Sequence, residues 1–201
     1  MSKKNFVVFS PGARGNFLEC FLNNKLTESF AYVSGDYHCH TWQLKIKGND
    51  FIVYETKDKI NKQWPYNETT NIFIDLDKQK LDTWLNLFYE KKYKKNLLEE
   101  NTFDKLFAST YNELKHCRLI NRDHFDYIVP FSKLYDWDYM ENLFCNINGY
   151  NPTCKEVFLK TNKINNITKI HFKVIVEMAQ NYDPEKILTY KLFDEYREKV
   201  V

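Results

Sequence analysis

Three observations predict an α/β domain with a mostly parallel central sheet. Residues 6–9 (Phe-Val-Val-Phe) and 72–74 (Ile-Phe-Ile) are unbroken apolar runs, as expected of strands buried on both faces. Longer stretches alternate with them, and their apolar residues recur at helical spacing. Strands alternating with helices cover a parallel sheet on both sides, which predicts a three-layer sandwich. The 201 residues suit a single domain, 1–201, and neither an internal repeat nor a long linker divides them.

Each element carries its own signal. The first strand runs straight into the turn Ser10-Pro11-Gly12-Ala13-Arg14-Gly15-Asn16. Asn16 followed by Glu19 reads as a capping box. It opens a helix with Phe17, Leu18, Phe21 and Leu22 as its apolar face and Asn23-Asn24 as its end. Residues 30–41 read as a loop around Ser34-Gly35-Asp36. Residues 42–47 and 51–55 alternate on either side of Gly48-Asn49-Asp50, which predicts a hairpin or two short strands. Residues 56–70 are polar, contain Trp64-Pro65 and read as irregular. After the 72–74 strand, Leu81, Trp84, Leu85, Leu87 and Phe88 mark a long helix, and a second covers 102–114. Cys117-Arg118-Leu119-Ile120 and residues 127–131 read as short strands, or as one strand and a turn. Asp136 caps a helix carrying Tyr139, Met140, Leu143, Phe144 and Ile147, stopped by Asn148-Gly149. Residues 153–163 and 168–181 read as helices, and Asp183-Pro184 opens a last one to about residue 199.

Composition narrows the function classes. Hydrophobic residues make up 43% of the chain, which predicts a folded domain rather than a disordered one. With 16 Phe, 14 Tyr and 4 Trp, rings must build much of the core. The net charge of +2 argues against general nucleic-acid binding and against a polybasic membrane binder. The run Lys91-Lys92-Tyr93-Lys94-Lys95 reads as a solvated helix end or as an anion patch. No apolar run reaches the length of a membrane span, and the five cysteines lack a CxxC pair, so reduced thiols and a cytoplasmic location are expected.

The turn after the first strand is the main chemical signal. An anion site at a strand-to-helix turn needs converging N–H groups, small residues and a helix N-terminus. Gly12, Ala13 and Gly15 are small, a helix opens at Asn16 ahead of Phe17, and Arg14 offers a bidentate grip on phosphate or sulfate. A plain connector would use the same residues for turn geometry alone. The GxxxxGK[ST] pattern is missing, which disfavours a Walker-type ATPase or kinase.

The segment Phe6-Val7-Val8-Phe9-Ser10-Pro11-Gly12-Ala13-Arg14-Gly15-Asn16-Phe17-Leu18 resembles the opening strand and 5′-phosphosulfate loop of the sulfotransferase family. A second stretch, Tyr127-Ile128-Val129-Pro130-Phe131-Ser132-Lys133-Leu134-Tyr135-Asp136, is similar to a late strand and loop of small members, including divergent ones of marine bacteria and phages. The resemblance implies a P-loop-like sulfotransferase architecture. It implies 3′-phosphoadenosine 5′-phosphosulfate as donor and a hydroxyl or amine of a small molecule or carbohydrate as acceptor. It assigns Arg14, Gly15, Asn16 and Phe17 to the phosphosulfate. The chain departs from the family in two places. Asn16 stands at the loop's hydroxyl position, and the middle strand is followed by Asp75-Leu76-Asp77-Lys78 in place of the family's arginine motif. Arg118 or Arg122 could stand in for that arginine. A non-catalytic nucleotide- or phosphate-binding module of the same fold is the alternative.

Other residues carry further candidates. His38-Cys39-His40, in the expected loop, offers a general base for the acceptor, a metal half-site with His116 and Cys117, or structural histidines. No resident metal is expected. Ser132 and Lys133 follow a strand end, where open α/β sheets hold ligands, and Ser132 is a candidate donor contact or a turn residue.

Overall fold

The computed structural model of the chain describes residues 4–23, 38–47, 50–54, 61–65, 69–93, 102–161 and 173–181. The expected loop at 30–37 and the expected last helix from Asp183 lie outside the described residues, as do Lys94 and Lys95. In chain order the strands are β1 (Lys4–Phe9), β2 (His38–His40), β3 (Leu44–Lys47), β4 (Asp50–Tyr54), β5 (Asn61–Pro65), β6 (Thr69–Asp75) and β7 (Tyr127–Pro130). The helices are α1 (Gly15–Leu22), α2 (Leu81–Tyr93), α3 (Thr102–Leu119), α4 (Trp137–Asn148), α5 (Cys154–Thr161) and α6 (Lys173–Gln180).

Four strands form a parallel sheet in the order β2-β1-β6-β7. β1 is internal, with Val7 opposite both His38 of β2 and Ile72 of β6. Phe6, Val7, Val8 and Phe9 are all buried, as their uninterrupted apolar run requires. The two faces of β1 follow from the strand's alternation. On one, Asn5 donates its amide to Leu22 O at 3.2 Å and the Phe9 ring lies under Gly15, so α1 packs there. On the other, Phe6 stacks on Phe51 of β4 at 5.8 Å, and Phe51 stacks in turn on Phe125. α4 and α5 extend the aromatic packing of α1 through Phe144 and Phe158, which both meet Phe21 edge-on.

Beside this sheet, β3, β4 and β5 form an antiparallel one. The β3–β4 hairpin falls on the alternating residues that predict it. β5 corrects the irregular reading of 56–70. Its residues carry no apolar run of their own, and the strand is made by pairing along the whole of β4. Cys117 to Leu119 likewise belong to the end of α3 and not to a strand. Leu106, Thr110, Leu114 and Cys117 are buried at helical spacing, so the helix continues along one face. α4 follows its signals: Asp136 accepts the Tyr139 N–H at 3.2 Å, and Gly149 ends the helix. Among the described residues no helix is long and apolar enough to cross a membrane.

Candidate functional site at the end of the first strand

The strand order reverses beside β1. The chain passes from β1 to β2 on one side, and β6 occupies the other. An open α/β sheet leaves its crevice at such a switch point, at the carboxyl ends of the strands. The turns after β1 and after β6 both lie there.

The β1 turn is shaped by the protein's own packing. Ala13 N–H donates to Ser10 O at 2.9 Å, closing a tight turn with Pro11 and Gly12 at its centre. Gly12 has φ 83, which a residue with a side chain rarely adopts. A Cβ there would sit 2.8 Å from the Phe88 nitrogen of α2, and Trp84 on the same helix donates its indole N–H to Pro11 O at 2.9 Å. At Gly15 a Cβ would fall 1.9 Å from the Phe9 ring. Ala13 is fully buried. The small residues are therefore required by contacts with α2 and β1, whatever approaches from outside.

Arg14 between the two glycines is unusual. It is the non-glycine residue with positive φ among the described residues, at φ 57 and ψ 29. The left-handed conformation costs a residue with a Cβ about 1–2 kcal/mol, and such strain gathers at functional sites. A left-handed residue followed by the helical Gly15 turns successive N–H groups inward, as an anion nest does. α1 therefore starts at Gly15 with Arg14 as N-cap and no side-chain cap, which corrects the capping box expected at Asn16 and Glu19. Asn16 is the second residue of the helix, and Phe17, next on, is buried.

The Arg14 guanidinium lies 4.6 Å from the Phe17 ring centroid and 5.0 Å from that of Tyr135, in the 3-10 turn after β7. Burial pulls the guanidinium down from its usual range, and Tyr135 partly offsets this, first through charge and then through hydrogen bonding. Burial likewise raises the Tyr135 phenol. Lys80, just before α2, places its ammonium 5.1 Å from the same Tyr135 ring. Neither Tyr135 nor Lys80 stands out in the sequence as a site residue. Only the fold brings Tyr135 to Arg14 and Lys80 to Tyr135.

The β6 end is acidic, and its carboxylates are engaged within the protein. Asp75 accepts from Arg122 at 2.9 Å and from the Cys117 thiol at 3.7 Å, and the Arg122 guanidinium also lies over Phe73. Burial pushes the Cys117 thiol up to about 11; a hydrogen bond with the Leu76 backbone opposes this, and the Asp75 charge adds to it. Asp77 accepts the Gln79 N–H at 3.0 Å and the Ser132 N–H at 2.8 Å. Arg122 and the Ser132 amide are thus bound to the acidic pair, while Lys133 pairs with Asp136 at 2.7 Å.

His38 and His40 lie on a strand, not in the expected loop. As an extended segment dictates, both rings meet Phe9, at 5.4 and 4.8 Å between centroids. His38 Nδ1 is 2.5 Å from Oε2 of Glu19, a buried carboxylate on α1. The sequence reading misses this pair, because it gives Glu19 to the helix cap. His40 donates its backbone N–H to Gln43 at 2.8 Å. Among the described residues no group of three or more metal-ligating side chains gathers.

Arg14 and Lys80 both approach the Tyr135 ring, and Arg14 stands at the N-terminal opening of α1, so the groups gathered here are of the kinds that recognise phosphate or sulfate. Arg122 and the Ser132 backbone amide, by contrast, are directed at Asp75 and Asp77. No family model, no curated protein and no solved structure matches the chain.

Proposed function

We propose that this chain is a sulfotransferase-like enzyme, a three-layer α/β sandwich with a P-loop-like turn. It moves a sulfuryl group from 3′-phosphoadenosine 5′-phosphosulfate to a hydroxyl or amine acceptor. The observation that carries the reading is Arg14, held left-handed at the head of α1 beside the sheet's switch point, with its guanidinium over Phe17 and Tyr135. Arg14 and the amides of Gly15, Asn16 and Phe17 hold the 5′-phosphosulfate, and Lys80 adds a second positive charge. Gly12 and Ala13 fix the turn against α2. Sulfuryl transfer asks for positioning and charge stabilisation, which such a corner supplies. A histidine on β2, His38 or His40, serves as general base.

One observation favours a second reading, a non-catalytic nucleotide- or phosphate-binding module of the same fold. Arg122 and Ser132, the candidates for further contacts to the donor, are engaged by Asp75 and Asp77. Melting curves in the presence of adenosine 3′,5′-bisphosphate, ATP and sulfate test both. A ligand at 100 times its Kd adds about 2.7 kcal/mol to stability. A clear rise in Tm with the bisphosphate supports a nucleotide site, and turnover of the donor separates the enzyme from the module. No rise with any of the three ligands contradicts both.

A further inference from the structure

We infer that Glu19 and His38 form a proton-accepting pair, with His38 as the base and Glu19 as the residue that positions it. The inference rests on the transfer reading above. It selects one of the two histidines on β2 and adds a residue that the sequence assigns to capping.

The Glu19 carboxylate is 1% exposed, and a buried carboxylate is costly unless it is partnered. Its partner is His38 Nδ1 at 2.5 Å, across the packing of α1 on β2. An imidazole whose Nδ1 bonds a carboxylate keeps a proton on that nitrogen, which leaves Nε2 as the ring's acceptor. His38 retains 16% exposure, so the ring is less enclosed than its carboxylate. The pair also belongs to the turn's own packing. Glu19 is four residues beyond Gly15, one helical turn along the same face. The Phe9 ring fills the space under Gly15 and meets the His38 ring at 5.4 Å. Gly15, Phe9, His38 and Glu19 thus make one continuous packed group, which includes the first residue of α1.

His38 Nε2 takes the proton of an acceptor hydroxyl as that oxygen bonds to sulfur. The bond from sulfur to the donor's 5′-phosphate oxygen breaks, and its electron pair leaves with adenosine 3′,5′-bisphosphate. The Nδ1 proton stays in place, and Glu19 balances the charge of the imidazolium.

Nitrogen-15 NMR of the imidazoles in the wild-type protein reads the tautomer directly. The expected result is a neutral His38 protonated at Nδ1 with a bare Nε2. In parallel, His38→Asn and Glu19→Gln are titrated with adenosine 3′,5′-bisphosphate. They are then assayed for turnover of the donor with simple alcohols, phenols and amines. Bisphosphate affinity within about twofold of wild type, with turnover slowed about 10²-fold in His38→Asn and in the same direction in Glu19→Gln, supports the pair. An Nε2-protonated His38, undiminished turnover in the variants, or bisphosphate bound without any turnover overturns the pair and leaves the donor site standing. Wild-type protein that binds no bisphosphate overturns the donor-site reading instead. Should a variant fail to fold, the wild-type tautomer decides.

Discussion

The carboxyl ends of β1 and β6 lie side by side in the sheet, yet they deploy charge in opposite ways. After β1, Arg14 is held in a strained conformation against Phe17 and Tyr135, and Lys80, from the segment that follows β6, approaches the same Tyr135 ring. After β6, two carboxylates are tied to Arg122, to the Cys117 thiol and to two backbone amides. The first arrangement carries net positive charge beside a helix opening. The second satisfies its carboxylates within the protein and joins β6 to the segments flanking β7. One strand end is proposed to meet an anion, and its neighbour ties β6 to the segments around β7.

The contrast predicts stability losses and affinity losses at different positions. The largest effect is expected at Gly15→Leu, where the new side chain must displace the buried Phe9 ring. Overpacking there costs about 3 kcal/mol. Melting temperature should fall by roughly 6–12 °C, at about 2–4 °C per kcal/mol for a chain of this size. Asp77→Ala comes next. It strands the Ser132 and Gln79 amides and should cost about 2 kcal/mol, read as a lower urea midpoint, with anion affinity unchanged. A loss of affinity in that variant would erase the distinction between the two ends. Lys80→Ala reverses the pattern: folding is unaltered, and sulfate or bisphosphate binding weakens by about 0.5–1 kcal/mol. Arg122→Ala is the mildest. Its pair with Asp75 is partly exposed, so unfolding free energy should drop by less than about 1 kcal/mol, within reach of denaturant titration.

The fold was legible wherever one segment contained its own signal. β1, the β3–β4 hairpin and the capped α4 were read from residues adjacent in the chain. β5 was not, because its strand character comes from its partner β4. The apolar Cys117-Arg118-Leu119-Ile120 misled because four residues do not reveal a period, and burial of the preceding helical face settles it. The candidate site divides in the same manner. Gly12, Arg14 and Gly15 are visible as a turn in the sequence, although the reason for both glycines is contact with Phe88 and Phe9. Tyr135 meets Arg14, and Lys80 meets Tyr135, only in the folded chain, and Glu19 pairs with His38, 19 residues away. Local chemistry announces a turn and its arginine, whereas the aromatic and carboxylate partners around it are long-range.

The central claim is that the β1 end binds the anion and the β6 end does not. Calorimetric titration of adenosine 3′,5′-bisphosphate into wild type, Arg14→Ala and Arg122→Ala tests it most directly. The account predicts wild-type binding that Arg14→Ala weakens by about 1.5–3 kcal/mol, the scale of a hydrogen bond to a charged group, and that Arg122→Ala leaves intact. Binding lost in Arg122→Ala but retained in Arg14→Ala would contradict it.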